Sequence, residues 1–237
     1  MRPVILMTRP AHDGASTAAE LAAMTGCDVV QSPVLDVRRA AALPPMEGVA
    51  GVILTSRNAA RVYGDLGGPE RPAICVGEAT ARAARAAGLH AEVRGGDAEA
   101  LVQAMLADPV AGRWVHLRGR HARGDVAARL NAAGQDVSEA VIYDQVPLPL
   151  TDAARDLLGG DAPVIVPLYS PRSAKEFRRQ ADPGAPLHCI AMSANVAAEL
   201  DGMSGVDLII AEAPDAAAMA RAVMATLQRV EGTGGAH

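Results

Sequence analysis

Residues 49–61, VAGVILTSRNAAR, and residues 163–175, PVIVPLYSPRSAK, share one grammar: an apolar run closing on hydroxyls, a polar turn, then a helix bearing alanine. ICVGEATARAA (74–84) and CIAMSANVAAE (189–199) repeat it, as do VRGGDAEAL (93–101) and IIAEAPDAAAM (209–219). Corresponding blocks stay about 115 residues apart over three consecutive units. In a chain of 237 residues, that period suits two similar small domains better than one large one. Any site is expected between them.

The runs ILT, AICVG, VIVPLY and VDLIIA are continuous rather than alternating, as parallel strands covered on both faces require. Their alternation with helical stretches predicts two similar doubly wound α/β domains with parallel, flavodoxin-like sheets. Gly26 and Gly134 stand where helices end and strands resume, the place of a left-handed C-cap. A further echo links MTRPAHDGASTAAELAAMTGCDVV (7–30) with LRGRHARGDVAARLNAAGQDVSEA (117–140). This unit precedes the others in one copy and follows them in the other, so one domain is expected inside the other. The predicted boundaries are 1–35 with 150–230 for the first domain and 48–142 for the inserted one, each with five strands. The Pro-punctuated passages 36–47 and 143–149 are expected as a two-stranded linker, and the Gly-rich tail 231–237 as disordered.

Composition narrows the function more than it names it. A net charge of −5 argues against a nucleic-acid partner, which needs a basic footprint. No stretch approaches the roughly 20 apolar residues of a membrane span. MRPVILMTRP turns polar too soon for a signal peptide and reads as the first strand. Cys27, Cys75 and Cys189 are odd in number and far apart, which fits reduced thiols in the cytoplasm.

In open parallel sheets, ligands sit beyond the carboxyl ends of the strands, where helix N-termini offer unpaired N–H groups to anions. The turns expected there contain Thr8-Arg9-Pro10, Thr55-Ser56-Arg57-Asn58, Gly77-Glu78-Ala79-Thr80, Arg118-Gly119-Arg120, Ser170-Pro171-Arg172-Ser173 and Met192-Ser193-Ala194-Asn195. For any one Ser or Asn, helix capping is the plainer reading; six such turns together suggest a site that accepts several anionic groups. Other chemistries lack their signatures. There is no GxGxxG, no P-loop and no GxSxG elbow, and His116 and His121 have no carboxylate or thiol at metal-ligand spacing. Asp36, Asp97 and Asp215 suit a linker and helix starts rather than a general base. Tyr143 ends the strand VIY where the chain leaves the inserted domain; a buried tyrosine with a satisfied hydroxyl is the alternative.

TRP (8–10), ILTSRNA (53–59), VGEATA (76–81), LRG (117–119), VIYDQV (141–146) and YSPRSA (169–174) resemble, in order and spacing over nearly the whole chain, the uroporphyrinogen-III synthase family. The resemblance implies cyclisation of the linear tetrapyrrole hydroxymethylbilane, with release of water and inversion of its last ring through a spiro intermediate. It implies no metal and no organic cofactor. The substrate's eight carboxylates would use the anion-accepting turns: Arg9, Thr55, Ser56, Thr80, Arg118, Ser170 and Ser193 as substrate-binding residues, with Tyr143 assisting departure of the hydroxyl. It further implies a monomer with transient hand-over from the enzyme that makes hydroxymethylbilane, and neither nucleic acid nor membrane as partner. One turn departs from the pattern: aligned with Gly77 and Thr80 stand Ser193 and Val196. The competing reading of the same turns is a non-catalytic two-lobed module that binds an anionic metabolite.

Overall fold

The computed structural model describes residues 1–122 and 124–233, without the side chain of residue 233. In chain order the elements begin with β1 (Val4–Met7), α1 (Ala11–Thr25), β2 (Val29–Gln31), β3 (Leu35–Arg39), β4 (Val49–Leu54) and α2 (Arg57–Asp65). They continue with β5 (Pro72–Cys75), α3 (Gly77–Ala86), β6 (His90–Val93), α4 (Ala98–Ala107), β7 (Arg113–Gly119), α5 (Val126–Ala132) and β8 (Val137–Pro147). The last are α6 (Asp152–Gly159), β9 (Val164–Leu168), α7 (Pro171–Gln180), β10 (Leu187–Ala191), α8 (Ala194–Ala197), a 3-10 turn (Ala198–Leu200), β11 (Val206–Ile210) and α9 (Ala216–Thr233).

The helices start and stop on local chemistry. Ser56 Oγ accepts from Asn58 N–H, Asp97 Oδ1 from Ala100 N–H, Ser170 Oγ from Ser173 N–H and Asp215 Oδ1 from Ala218 N–H, each satisfying a donor left open in the first turn. Gly26 closes α1 at φ 64°, a conformation that costs glycine little.

Two compact units result, one holding Met1–Asp36 and the chain from Val146 onward, the other Val37–Gln145. The first contains the sheet β11-β10-β9-β1-β2, the second the sheet β3-β8-β7-β4-β5-β6. Matching β9, β10 and β11 with β4, β5 and β6, and β1 and β2 with β7 and β8, makes the two five-strand orders identical. The second unit is therefore a circular permutation of the first: β1-α1-β2 opens one copy, and β7-α5-β8 closes the other.

Both faces of each sheet are buried, which explains the continuous apolar runs. Val164, Val166 and Leu168 pack on one face with Leu6 and Phe177, while Ile165 turns to the other with Ile5, Met7 and Met219. In the second unit Val52 and Leu54 join Ala60 and Tyr63, and Ile53 joins Leu101, Met105 and Leu130 on the opposite face.

Three expectations need correction. The strand expected over 27–35 is regular only over Val29–Gln31, although beyond it Ser32 N–H still donates to the Met7 carbonyl and Val34 N–H to that of Thr8. The expected two-stranded linker is present, but its first strand, β3, neighbours β8 in the second sheet and gives that sheet six strands rather than five. The second strand of the linker, over 143–149, is mostly the end of β8. Ala40 N–H donates to the Ile142 carbonyl and Leu148 N–H to that of Val34, so these two segments run in opposite directions. The helix α9 extends to Thr233, inside the expected tail, while 234–237 lie outside the described residues. Among the described residues no helix is long and apolar enough to cross a membrane.

Candidate functional site

A parallel sheet opens a crevice where the connections from two neighbouring strands depart in opposite directions. In the first unit this point lies between β9 and β1, which pair through Val4↔Val164 and Ile5↔Ile165. In the second it lies between β4 and β7, paired through Val52↔Val115, Ile53↔His116 and Leu54↔Leu117. Four of the six polar turns end these four strands, and the other two follow the neighbouring β5 and β10.

In the first unit the turns after β1 and β9 meet. The Arg9 guanidinium lies 4.3 Å from the centroid of the Tyr169 ring, a cation–π contact. Arg9 also donates to Thr17 Oγ1 at 3.0 Å and pairs with Asp13 at 3.2 Å. Burial pushes the Tyr169 phenol pKa up, against the pull of Arg9. Arg9 is thus a buried organiser of the turn, its charge already countered by Asp13. Beside it, the Thr8 hydroxyl is buried without a hydrogen-bond partner. Ser170 Oγ starts α7 and donates to Ser173 Oγ at 2.9 Å.

In the second unit Thr55 and Ser56, consecutive at the end of β4, reach two different strands. Thr55 Oγ1 lies 3.2 Å from His116 Nε2 on β7. Ser56 Oγ accepts from the Tyr143 hydroxyl on β8 at 3.1 Å, in addition to the Asn58 N–H. Arg61 donates to Asn58 Oδ1 at 3.1 Å. Burial raises the Tyr143 pKa, while the bond to Ser56 and the charge of Arg61 oppose it.

A slip in strand register aims Tyr143. Arg118 pairs with Val141, but the next residue, Gly119, pairs with Tyr143, so Ile142 is an extra residue on β8. Such bulges redirect a side chain, and here the consecutive Ile142 and Tyr143 both enter the same core cluster. The phenol lies across Gly119, where a Cβ would stand 2.6 Å from Tyr143 Cζ.

Arg118 is fully engaged. Its Nε and Nη2 donate to the Glu139 carboxylate at 3.1 and 2.6 Å, and Nη1 donates to the Gly119 carbonyl at 3.1 Å. The bidentate pair raises the Arg118 pKa and lowers that of Glu139. These two residues, His116, Arg120 and Asp125 line a polar cavity of about 170 Å³. His116 is 1 % exposed, its Nδ1 has no partner, and burial lowers its pKa to about 4. It is a neutral imidazole in this environment.

Thr80 is buried within α3, and Ser193 precedes α8 without capping it through its side chain. Their turns differ as the sequence departure suggests. Gly77 has φ 69° at the start of a ten-residue α3, whereas Ser193 is extended before a four-residue α8. The fold thus brings Thr55, Ser56 and Tyr143 together in one unit and Arg9 and Ser170 to neighbouring strands in the other. The sequence offers His116 only as a metal ligand without partners; the fold adds its burial beside Thr55.

A family model described as uroporphyrinogen-III synthase HemD matches residues 16–221. No curated protein sequence matches the chain. A solved uroporphyrinogen-III synthetase from Helicobacter pylori superposes with a TM-score of 0.65 at 16% identity, covering 95% of this chain and 100% of that one. A mutant uroporphyrinogen III synthase from Thermus thermophilus gives 0.54 at 18% identity, with 97% and 100% coverage. At these identities the solved structures speak for the two-domain α/β fold, and the family model speaks for descent. The match runs from α1 into α9, through both sheets and the Ser56–Tyr143 pair: the chain belongs to the uroporphyrinogen-III synthase family, enzymes of tetrapyrrole and heme biosynthesis.

Proposed function

We propose that this enzyme is a hydro-lyase that closes hydroxymethylbilane to uroporphyrinogen III, releasing water and inverting the last ring. The observation that carries the reading is the family match over residues 16–221. Tyr143 protonates the departing hydroxyl. The C–O bond breaks, water leaves, and the phenolate recovers a proton when the reclosed ring loses its own. A phenol that donates to Ser56 in the field of Arg61 suits that task, because this bond and this charge favour the phenolate against the burial that raises its pKa.

The side chains of Thr55, Thr80, Ser170 and Ser193, with the N–H groups of their turns, accept substrate carboxylates, while the Ser56 hydroxyl stays with Tyr143. Arg9 and Arg118, each already held by a carboxylate, serve the same turns by ordering them. Most of the rate advantage over spontaneous closure comes from holding the chain in the geometry that inverts the ring. The enzyme works as a cytoplasmic monomer and takes its labile substrate by transient hand-over from the enzyme that makes it.

The test is the isomer ratio. Supplied with pre-formed hydroxymethylbilane, the protein is expected to yield predominantly the III isomer. A ratio equal to that of the protein-free reaction, which gives isomer I, overturns the proposal.

A further inference from the structure

We propose that Ser56 is the positioning residue of Tyr143, holding the phenol oxygen at the end of β4 so that its proton can be directed at the leaving group. The proposal rests on the reading of Tyr143 as the proton donor. Three observations carry it. First, Ser56 Oγ accepts from both Asn58 N–H and the Tyr143 hydroxyl at 3.1 Å, so a helix start and a strand end are tied through one atom. Second, the β8 bulge and the missing side chain at Gly119 exist at the position where the phenol must cross β7 to reach Ser56. Third, Ser56 is extended, at φ −152° and ψ 139°, and follows a buried central strand, which makes it a rigid anchor.

A serine hydroxyl has one hydrogen and two acceptor sites. In the resting chain the phenol donates to it. With a substrate hydroxyl beside Tyr143, Ser56 turns its own hydrogen onto the phenol oxygen while still accepting from Asn58. The phenolic hydrogen is then free for the leaving group, and the same bond stabilises the phenolate once the proton has gone.

The experiment measures formation of isomer III from hydroxymethylbilane by wild type, Ser56→Gly, Ser56→Thr, Tyr143→Phe and the Tyr143→Phe/Ser56→Gly double variant. Glycine is a good N-cap, so Ser56→Gly removes the hydroxyl while sparing the helix start; a thermal melt checks the fold. Ser56→Gly is expected to lower kcat roughly tenfold to 100-fold, the scale of a misplaced catalytic group, with KM little changed. Ser56→Thr should restore most of kcat. The double variant should be no slower than Tyr143→Phe, because two residues acting as one unit are not additive. Wild-type kcat in Ser56→Gly beside an impaired Tyr143→Phe overturns the proposal, as do multiplicative losses in the double variant. Wild-type kcat in Tyr143→Phe removes the proton-donor reading itself and this inference with it.

Discussion

At the scale of single residues, His116 shows how burial converts an ordinary side chain into a constraint. Its ring is held at Thr55 with Nδ1 unpartnered, and desolvation depresses its pKa from 6.5 to about 4. Between those values the unfolded chain binds a proton that the folded chain refuses, so stability rises with pH across that window. The full contribution is present above about pH 6.5 and is lost as pH falls toward 4, amounting to about 3 kcal/mol if the whole shift is realised. Denaturant titrations from pH 7 to 4 should show this slope in wild type and a shallower one in His116→Gln. Equal slopes would mean that His116 is not the group responsible. Arg9 and Arg118 teach the complementary lesson. A sequence shows two arginines near anion-accepting turns; only the folded chain shows that Asp13 and Glu139 already hold them.

At the scale of elements, the decisive feature is the bulge on β8. Without the extra Ile142, a strict two-residue alternation would turn Tyr143 away from the face it occupies. Gly119 is the other half of the device, since a Cβ there would meet the phenol ring. Gly119→Ala is therefore expected to displace Tyr143 from Ser56, lowering isomer III formation by about tenfold or more, with far-UV circular dichroism unchanged. Normal turnover in a folded Gly119→Ala variant would show that the ring's position over β7 is immaterial. Much at this scale was legible in the sequence. The caps at Ser56, Asp97, Ser170 and Asp215 and the stop at Gly26 are local bonds between residues a few positions apart. The edges were less legible. The passages 36–47 and 143–149 read as a two-stranded linker and do pair, but that β3 joins the second sheet as a sixth strand depends on pairing with a distant segment, which local composition does not show.

At the scale of the whole molecule, the described core falls into four clusters, two in each unit, and none mixes residues of both. Trp114, the single tryptophan, lies in a cluster of the second unit. Phe177 is fully buried in the first. Phe177→Ala should cost about 3–5 kcal/mol in the unit that contains it. It should lower the part of the far-UV melting transition due to that unit while leaving the tryptophan fluorescence transition in place. A matching shift in fluorescence would show that the two cores unfold as one.

The sequence by itself determined the alternation of strand and helix, the doubled period, the inserted copy and the polar ends of the strands. Each of these depends on periodicity and on bonds between near neighbours, which one pass along the chain reveals. Tertiary structure alone decided that both copies share one strand order despite their permuted starts. It also brought Tyr143 to Ser56 across 87 residues and His116 to Thr55 across 61. The physical reason is strand register: one inserted residue between Arg118 and Gly119's partners reverses which side chains face the core, and nothing local in the sequence marks it.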